Sequence, residues 1–167
     1  GDGRQQVYSF CMCPGGIIVP ATAVAEGNIV NGMSKYLRNN KFANAACVAT
    51  ANISNMHKRE VSALEALDWM EGIENRFYEF SKGYKAPICS IQDFINKKIT
   101  NGNTNTSYPL GVIEAPLWEL LPQDIEISMR AGLKDFIRKM KGFETGNIMC
   151  LESKTSSPIQ VDREKNG

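Results

Sequence analysis

The apolar positions of this chain change period along its length. Near the N-terminus, Val7 to Phe10 alternates and is rich in strand formers, and Ile17, Ile18 and Val19 resume an extended run. Pro14-Gly15-Gly16 between them predicts a turn, so the two runs read as the arms of a hairpin. Asn28 to Val30 predicts another short strand, and Ala45 to Ile53 a buried one. The period then lengthens. Val61, Leu64, Leu67, Ile73, Phe77 and Phe80 recur mostly three or four apart, as on one side of a helix, and Gly83 is its stop signal. Ser90-Ile91-Gln92-Asp93 reads as the capped start of a short helix through Phe94 and Ile95. Thr100 to Ser107 is polar and Asn-rich, the composition of a surface loop. After Pro122 and Asp124 comes a second long helix, with Ile125, Met129, Leu133, Phe136 and Met140 as its stripe and Gly142 as its end. Extended stretches around Val112 and Ile113, at Asn147 to Leu151 and at Pro158 to Val161 complete the pattern.

Strands, then helices, then strands again predict an α+β domain. The expected core is a mixed or antiparallel, barrel-like sheet with an inserted helical lobe at about residues 58–142, the late strands returning to the early ones. No G-x-G-x-x-G stands between a strand and a helix, and there is no P-loop, so no Rossmann unit is expected within residues 1–167.

Composition narrows the function classes. An apolar share of 43% can fill a core, and a charged share of 22% argues against disorder. The net charge of +1 lacks the basic excess of a nucleic-acid partner. Arg138, Lys139 and Lys141 share their helix with Asp135 and read as a solvated face. No run reaches the roughly 20 apolar residues of a membrane span, and Gly1-Asp2-Gly3-Arg4 does not open a signal peptide. A cytoplasmic protein without a membrane partner is the expectation. Five cysteines cannot all pair within one chain, which favours reduced thiols.

The chemistry concentrates in Phe10-Cys11-Met12-Cys13-Pro14-Gly15-Gly16. On an unbroken strand, Cys11 and Cys13 would share a face with Ser9, and Phe10 and Met12 the other. Such a thiol pair, the candidate catalytic residues, suits redox or metal chemistry; it equally suits two small buried apolar side chains beside a turn. Parallel thiols fit a direct disulfide badly. His57, Cys47, Cys89 and Cys150 stand at no ligand spacing, so no metal is expected. Gly15 and Gly16 would admit a ligand or another backbone at close range. On the ligand reading, Gly15→Val should harm turnover more than folding. Thr155-Ser156-Ser157-Pro158 could hold a polar ligand or simply satisfy its own backbone. Asn31-Gly32-Met33-Ser34 with Arg38 could shape a loop around an anion, although Asn-Gly is first a turn signal. His57 reads as a surface residue.

The segment Tyr8-Ser9-Phe10-Cys11-Met12-Cys13-Pro14-Gly15-Gly16 resembles the signature of the NAD(FAD)-utilizing dehydrogenase family of bacterial flavoproteins. Asn31 to Ser34 with Arg38 and Ala43-Asn44-Ala45-Ala46, then Tyr84-Lys85-Ala86-Pro87 with Asp93-Phe94, then Thr155 to Pro158, resemble its later blocks in order. Lys82, Cys89 and Lys154 depart from the family's Gly, Gln and Arg. The resemblance implies an inserted, substrate-side domain spanning residues 1–167, with the flavin-binding domain of the same polypeptide as its partner and no complete catalyst on its own. It also implies FAD in the full-length protein but not on this chain alone, NAD(P)H as a candidate electron donor, and a small-molecule substrate. Cys13, Pro14, Gly15, Gly16, Thr155, Ser156 and Ser157 are then the candidate flavin-facing residues, and Asn31, Met33, Ser34 and Arg38 the candidate substrate contacts. An inserted domain leaves and re-enters its host at neighbouring points, so strands near Val7 and Ile159 should be adjacent. The alternative is a free-standing thiol redox or ligand-binding module using Cys11 and Cys13.

Overall fold

The structure, a computed structural model, describes residues 6–102, 104–153 and 162. In chain order the elements are β1 (Val7–Pro20), β2 (Val30–Met33), β3 (Phe42–Ala49), α1 (Ile53–His57), α2 (Ala63–Ser81) and β4 (Ala86–Ser90). They continue with α3 (Ile91–Asn96), β5 (Val112–Glu114), α4 (Leu117–Leu120), α5 (Gln123–Lys139), a 3-10 turn at Phe143–Thr145 and β6 (Asn147–Met149). The fold is α+β. One antiparallel sheet runs β2-β1-β3, and a second sheet runs β5-β4-β6. Neither closes into a barrel. Among the described residues, no helix is long and apolar enough to cross a membrane.

The hairpin expected at Pro14-Gly15-Gly16 does not form. β1 runs through it as one strand of 14 residues that serves two neighbours. Val7 to Phe10 pairs with Ala49 to Ala46 of β3, and Ile17 to Pro20 with Met33 to Val30 of β2. The turn-forming residues are absorbed as irregularities in the ladder, between Phe10 and Cys13 and again between Cys13 and Gly16. Proline is tolerated there because a bulge leaves an N–H without a ladder partner. Asn31-Gly32 is likewise not a turn; it sits in β2 opposite Val19 and Ile18. The chain reverses earlier, in residues 21–29, where the Ala21 N–H donates to the Ile29 carbonyl at 3.0 Å. The strand expected from Asn28 begins at Val30, and the one expected to reach Ile53 ends at Ala49. Asn52 instead caps α1, its side chain accepting from the Asn55 N–H at 3.0 Å.

The late strand β6 joins β4 rather than β1, with Ile88 opposite Met149. A hydrogen bond from the Val30 N–H to the Leu151 carbonyl (2.9 Å) leads back toward the first sheet. The strand expected at Pro158 to Val161, and with it the neighbourhood of Ile159 and Val7, lies outside the described residues. Between residues 58 and 142 the chain holds α2 to α5 together with strands β4 and β5.

The core lies between the second sheet and the helices. Ile73 and Phe77 of α2, Phe94 of α3, Leu117 of α4, Met129 and Leu133 of α5, and Ala86 and Cys89 of β4 form one buried cluster. α5 also meets the first sheet, where the Cys47 thiol lies 4.0 Å from the Met129 sulfur and Val7 packs on the cluster. Leu64, on the apolar stripe that predicts α2, is exposed, because the first turn of that helix carries its own polar cap. There Ser62 and Glu65 form a reciprocal capping box, and Arg59 binds the Glu65 carboxylate at 2.7 Å. The Arg59 hydrogen bond, helped by Ser62, holds the Glu65 carboxyl down at about 2 instead of 4.5. A depressed acid contributes its stabilisation above its unfolded value and loses it as pH falls through the folded one. The start of α2 is therefore expected to fray between about pH 4.5 and 2. An NMR titration of Glu65 with a midpoint at the ordinary glutamate value would contradict this.

One buried polar residue connects the two sheets. Asn28 is fully buried, and its amide nitrogen reaches Ser81 Oγ (3.0 Å), the Gly83 carbonyl (3.2 Å) and the Lys85 carbonyl (2.9 Å). Its backbone N–H donates to the Glu74 carbonyl (3.1 Å), and the Cys150 thiol donates to its carbonyl (3.3 Å). The approach to β2, the end of α2, the entry to β4 and the exit from β6 thus meet at one side chain.

Candidate functional site

The bulge in β1 rearranges the cysteines. From Phe10 to Cys13 is three steps on β1, but their partners Ala46 and Asn44 are two steps apart on β3. One extra residue reverses the alternation, so Cys13 shares a face with Phe10 and not with Ser9. The expectation that Cys11 and Cys13 stand side by side on Ser9's face is therefore overturned. Cys11 takes the left-handed conformation (φ 54°) that non-glycine residues rarely adopt. Cys11 is exposed, Met12 is 70% exposed and Cys13 is buried. The Cys13 thiol donates to the Cys11 carbonyl at 3.5 Å. Burial pushes that thiol up, the neighbouring Cys11 adds to the rise, and Arg38 partly opposes it.

The segment after β2 folds back over this bulge. The Asn40 N–H donates to the Gly15 carbonyl at 3.3 Å. Gly15 has φ +57°, and a Cβ built on it would stand 2.0 Å from the Arg38 carbonyl oxygen. A Cβ on Gly16 would stand 2.7 Å from both the Cys13 Cβ and the Met33 carbonyl oxygen. What the two glycines admit at close range is thus the chain's own backbone.

Residues 11–16 and 33–38, some twenty positions apart in sequence, are thereby brought to one rim. Asn31 lies farther along β2, opposite Val19. Ser34 is exposed, and its hydroxyl reaches only the Lys35 carbonyl among the contacts seen (3.5 Å). Pro14 and Arg38 are exposed at the rim. Thr155, Ser156 and Ser157 lie outside the described residues. His57 is exposed at the end of α1, away from this cluster in the chain. One contributor was missed in the sequence. Asn44 lies between the paired strands, its amide donating to the Ile17 carbonyl (3.3 Å) and its Oδ1 standing against Gly32. A lone polar residue inside Ala43-Asn44-Ala45-Ala46 was the available signal.

Several large apolar side chains of these segments face solvent: Met12, Met33 (50% exposed), Leu37 (73%) and Tyr36 (98%). The turn from strand to helix that cradles a dinucleotide is usually glycine-rich. The parallel pair β4 and β5 is connected through α3, but the turn into that helix is Cys89-Ser90-Ile91, without glycine. Ser90 caps α3, with Asp93 in its first turn; Ser62 and Glu65 close α2; Asp124 and Glu126 open α5. Carboxylates in the first turns of α2, α3 and α5 disfavour a diphosphate there, and the starts of α2 and α3 are also side-chain capped. Two surface hollows, one between Ser54 and Glu60 and one between α3 and α5, open to solvent and include no residue of the rim.

Fold and site together define an α+β domain with a thiol-bearing, partly apolar rim. Residues 2–155 match the family described as FAD-dependent protein, C-terminal domain-like, and the chain belongs to that family. It is a domain of an FAD-dependent protein. An uncharacterized protein of Clostridium beijerinckii is 33% identical over 166 residues, covering 96% of this chain and 31% of that protein. The chain therefore spans under a third of the length of this relative.

Proposed function

We propose that this chain is the inserted, substrate-side domain of an FAD-dependent dehydrogenase, and that its bulged rim faces the flavin and the substrate. The observation that carries the reading is the convergence of Cys11 to Gly16 and Met33 to Arg38 at one rim with exposed apolar side chains. Fully burying one such side chain is worth roughly 1.5–3 kcal/mol, so the rim gains by docking. A relative about three times as long has ample chain to supply the flavin-binding partner domain. Arg38 offers a cation to an anionic substrate group at that rim, and Cys13, Pro14 and Gly16 shape its floor. The flavin supplies the hydride chemistry when bound; this chain orients substrate and excludes water. NAD(P)H as electron donor and a cytoplasmic setting belong to the same reading and rest on the motif resemblance.

Titration of FAD into the 167-residue chain, followed by flavin fluorescence, is expected to show no saturable binding. Hydrogen exchange at residues 11–16 and 33–38 is expected to be slower in the full-length protein than in the chain alone. Saturable low-micromolar binding, or equal exchange in both forms, would defeat the proposal.

A further inference from the structure

We propose that Cys11 and Cys13 form a reversible dithiol–disulfide centre, entered at Cys11 and closed by Cys13. The inference rests on the geometry of β1 and is independent of the docking reading above. On a regular strand, residues two apart are about 6.6 Å from Cα to Cα with parallel side chains, at the far limit for a disulfide. The bulge removes that obstacle. The left-handed turn of the backbone at Cys11 and the extra residue before Cys13 break the parallel arrangement. The Cys13 thiol then hydrogen-bonds the Cys11 carbonyl at 3.5 Å, which turns it back toward Cys11. A strained, non-glycine backbone conformation held at a thiol pair is the kind of feature that functional sites retain.

The two thiols differ in access. Cys11 is exposed and available to an oxidant, whereas Cys13 is buried behind it. The remaining cysteines differ from Cys11 in access. Cys47 is half-buried, and Cys89 and Cys150 are buried, and desolvation pushes their thiols up to about 11, 12 and 12. Thiols so placed are poor entry points for an oxidant, so the reaction enters at the exposed Cys11.

The chemistry balances with a small-molecule disulfide as oxidant. The Cys11 thiolate attacks one sulfur of the oxidant; its S–S bond breaks, a thiolate leaves, and Cys11 carries a mixed disulfide. Cys13 gives up its proton and attacks Cys11 Sγ, the bond from Cys11 Sγ to the oxidant sulfur that it first attacked breaks, and that half leaves as a thiol after taking up a proton. Two protein thiols have lost two electrons, and one external disulfide has become two thiols.

The test uses the 167-residue chain equilibrated anaerobically across a series of reduced and oxidised glutathione ratios, then acid-quenched and alkylated. Mass spectrometry of the peptide holding Cys11 and Cys13 is expected to show the loss of two hydrogens, following a two-electron dependence on the ratio. Cys13→Ala should instead hold glutathione at Cys11, and Cys11→Ser should leave Cys13 unmodified. Circular dichroism checks that each variant folds; if one does not, the unsubstituted chain alone decides. A Cys11–glutathione adduct that never closes onto Cys13 at any ratio would overturn the proposal, as would modification of Cys13 ahead of Cys11.

Discussion

Asn28→Leu is expected to lower stability by about 3–5 kcal/mol, among the largest single effects in the chain. Leucine has similar volume, so the loss is not a cavity effect. It arises because the amide nitrogen serves three acceptors in the stretch that leads from α2 to β4: Ser81 Oγ, the Gly83 carbonyl and the Lys85 carbonyl. All three sit beside a fully buried side chain, where water cannot take over. A buried polar group left without its partner costs about 1–3 kcal/mol, and the three share one donor, so the costs do not simply add. Asn28→Asp should be no better, since an acceptor then faces acceptors and a charge is buried among them. Urea denaturation monitored by tryptophan fluorescence measures the effect as a fall in midpoint at constant slope. A loss under about 1 kcal/mol would mean that the junction between the sheets is held elsewhere.

Junctions of this kind mark the limit of what the chain discloses locally. The two long helices were legible because their signals are local. Ile73 and Phe77 share a face of α2, and Met129 and Leu133 continue the stripe of α5. Ser90 and Asp93 announced α3 in the same way. β1 was misread because its geometry is set by strands elsewhere in the chain. Pro14-Gly15-Gly16 has the composition of a turn, but pairing with β3 before it and β2 after it keeps the strand extended and converts the turn into bulges. Periodicity contains no information about partners.

The candidate site divides along the same line. Motif resemblance implies two separate sets, Cys13 to Gly16 with Thr155 to Ser157 toward the flavin and Asn31, Met33, Ser34 and Arg38 toward the substrate; the backbone contacts at Gly15 and Gly16 show residues 11–16 and 33–38 as neighbours. Spacing could not have shown that Cys11 and Cys13 differ in burial, because the difference comes from a one-residue slip against β3. Buried polar residues were missed for a related reason. Glu126 lies on the buried side of α5, three and seven residues before Met129 and Leu133, with Lys97 at 3.0 Å and Arg130 at 3.3 Å. Its position on the stripe was visible, but its partner Lys97 belongs to the end of another helix.

Gly15→Val reverses the order expected from sequence, in which turnover suffers first. The structure puts the main loss in folding. Gly15 has φ +57°, a region that a β-branched residue avoids, and the left-handed conformation alone costs an L-residue roughly 1–2 kcal/mol. The space is also occupied. A Cβ would meet the Arg38 carbonyl oxygen at 2.0 Å, the Arg38 carbonyl carbon at 2.3 Å and the Asn39 nitrogen at 2.9 Å. These are backbone atoms, so no side-chain rotation relieves the clash, and overpacking adds about 1–3 kcal/mol. The segment after Met33 must lift, which breaks the hydrogen bond from the Asn40 N–H to the Gly15 carbonyl. The total expected loss is about 2–5 kcal/mol, with Gly15→Ala shifted in the same direction and by less. Lifting that segment also bares Cys13, which is only 7% exposed in the intact fold. Thermal denaturation and the alkylation rate of Cys13 should therefore change together: a lower midpoint and a faster reaction. Full stability with Cys13 still shielded would show that the backbone at Arg38 yields without cost, and the ligand-centred view of Gly15 would regain its force.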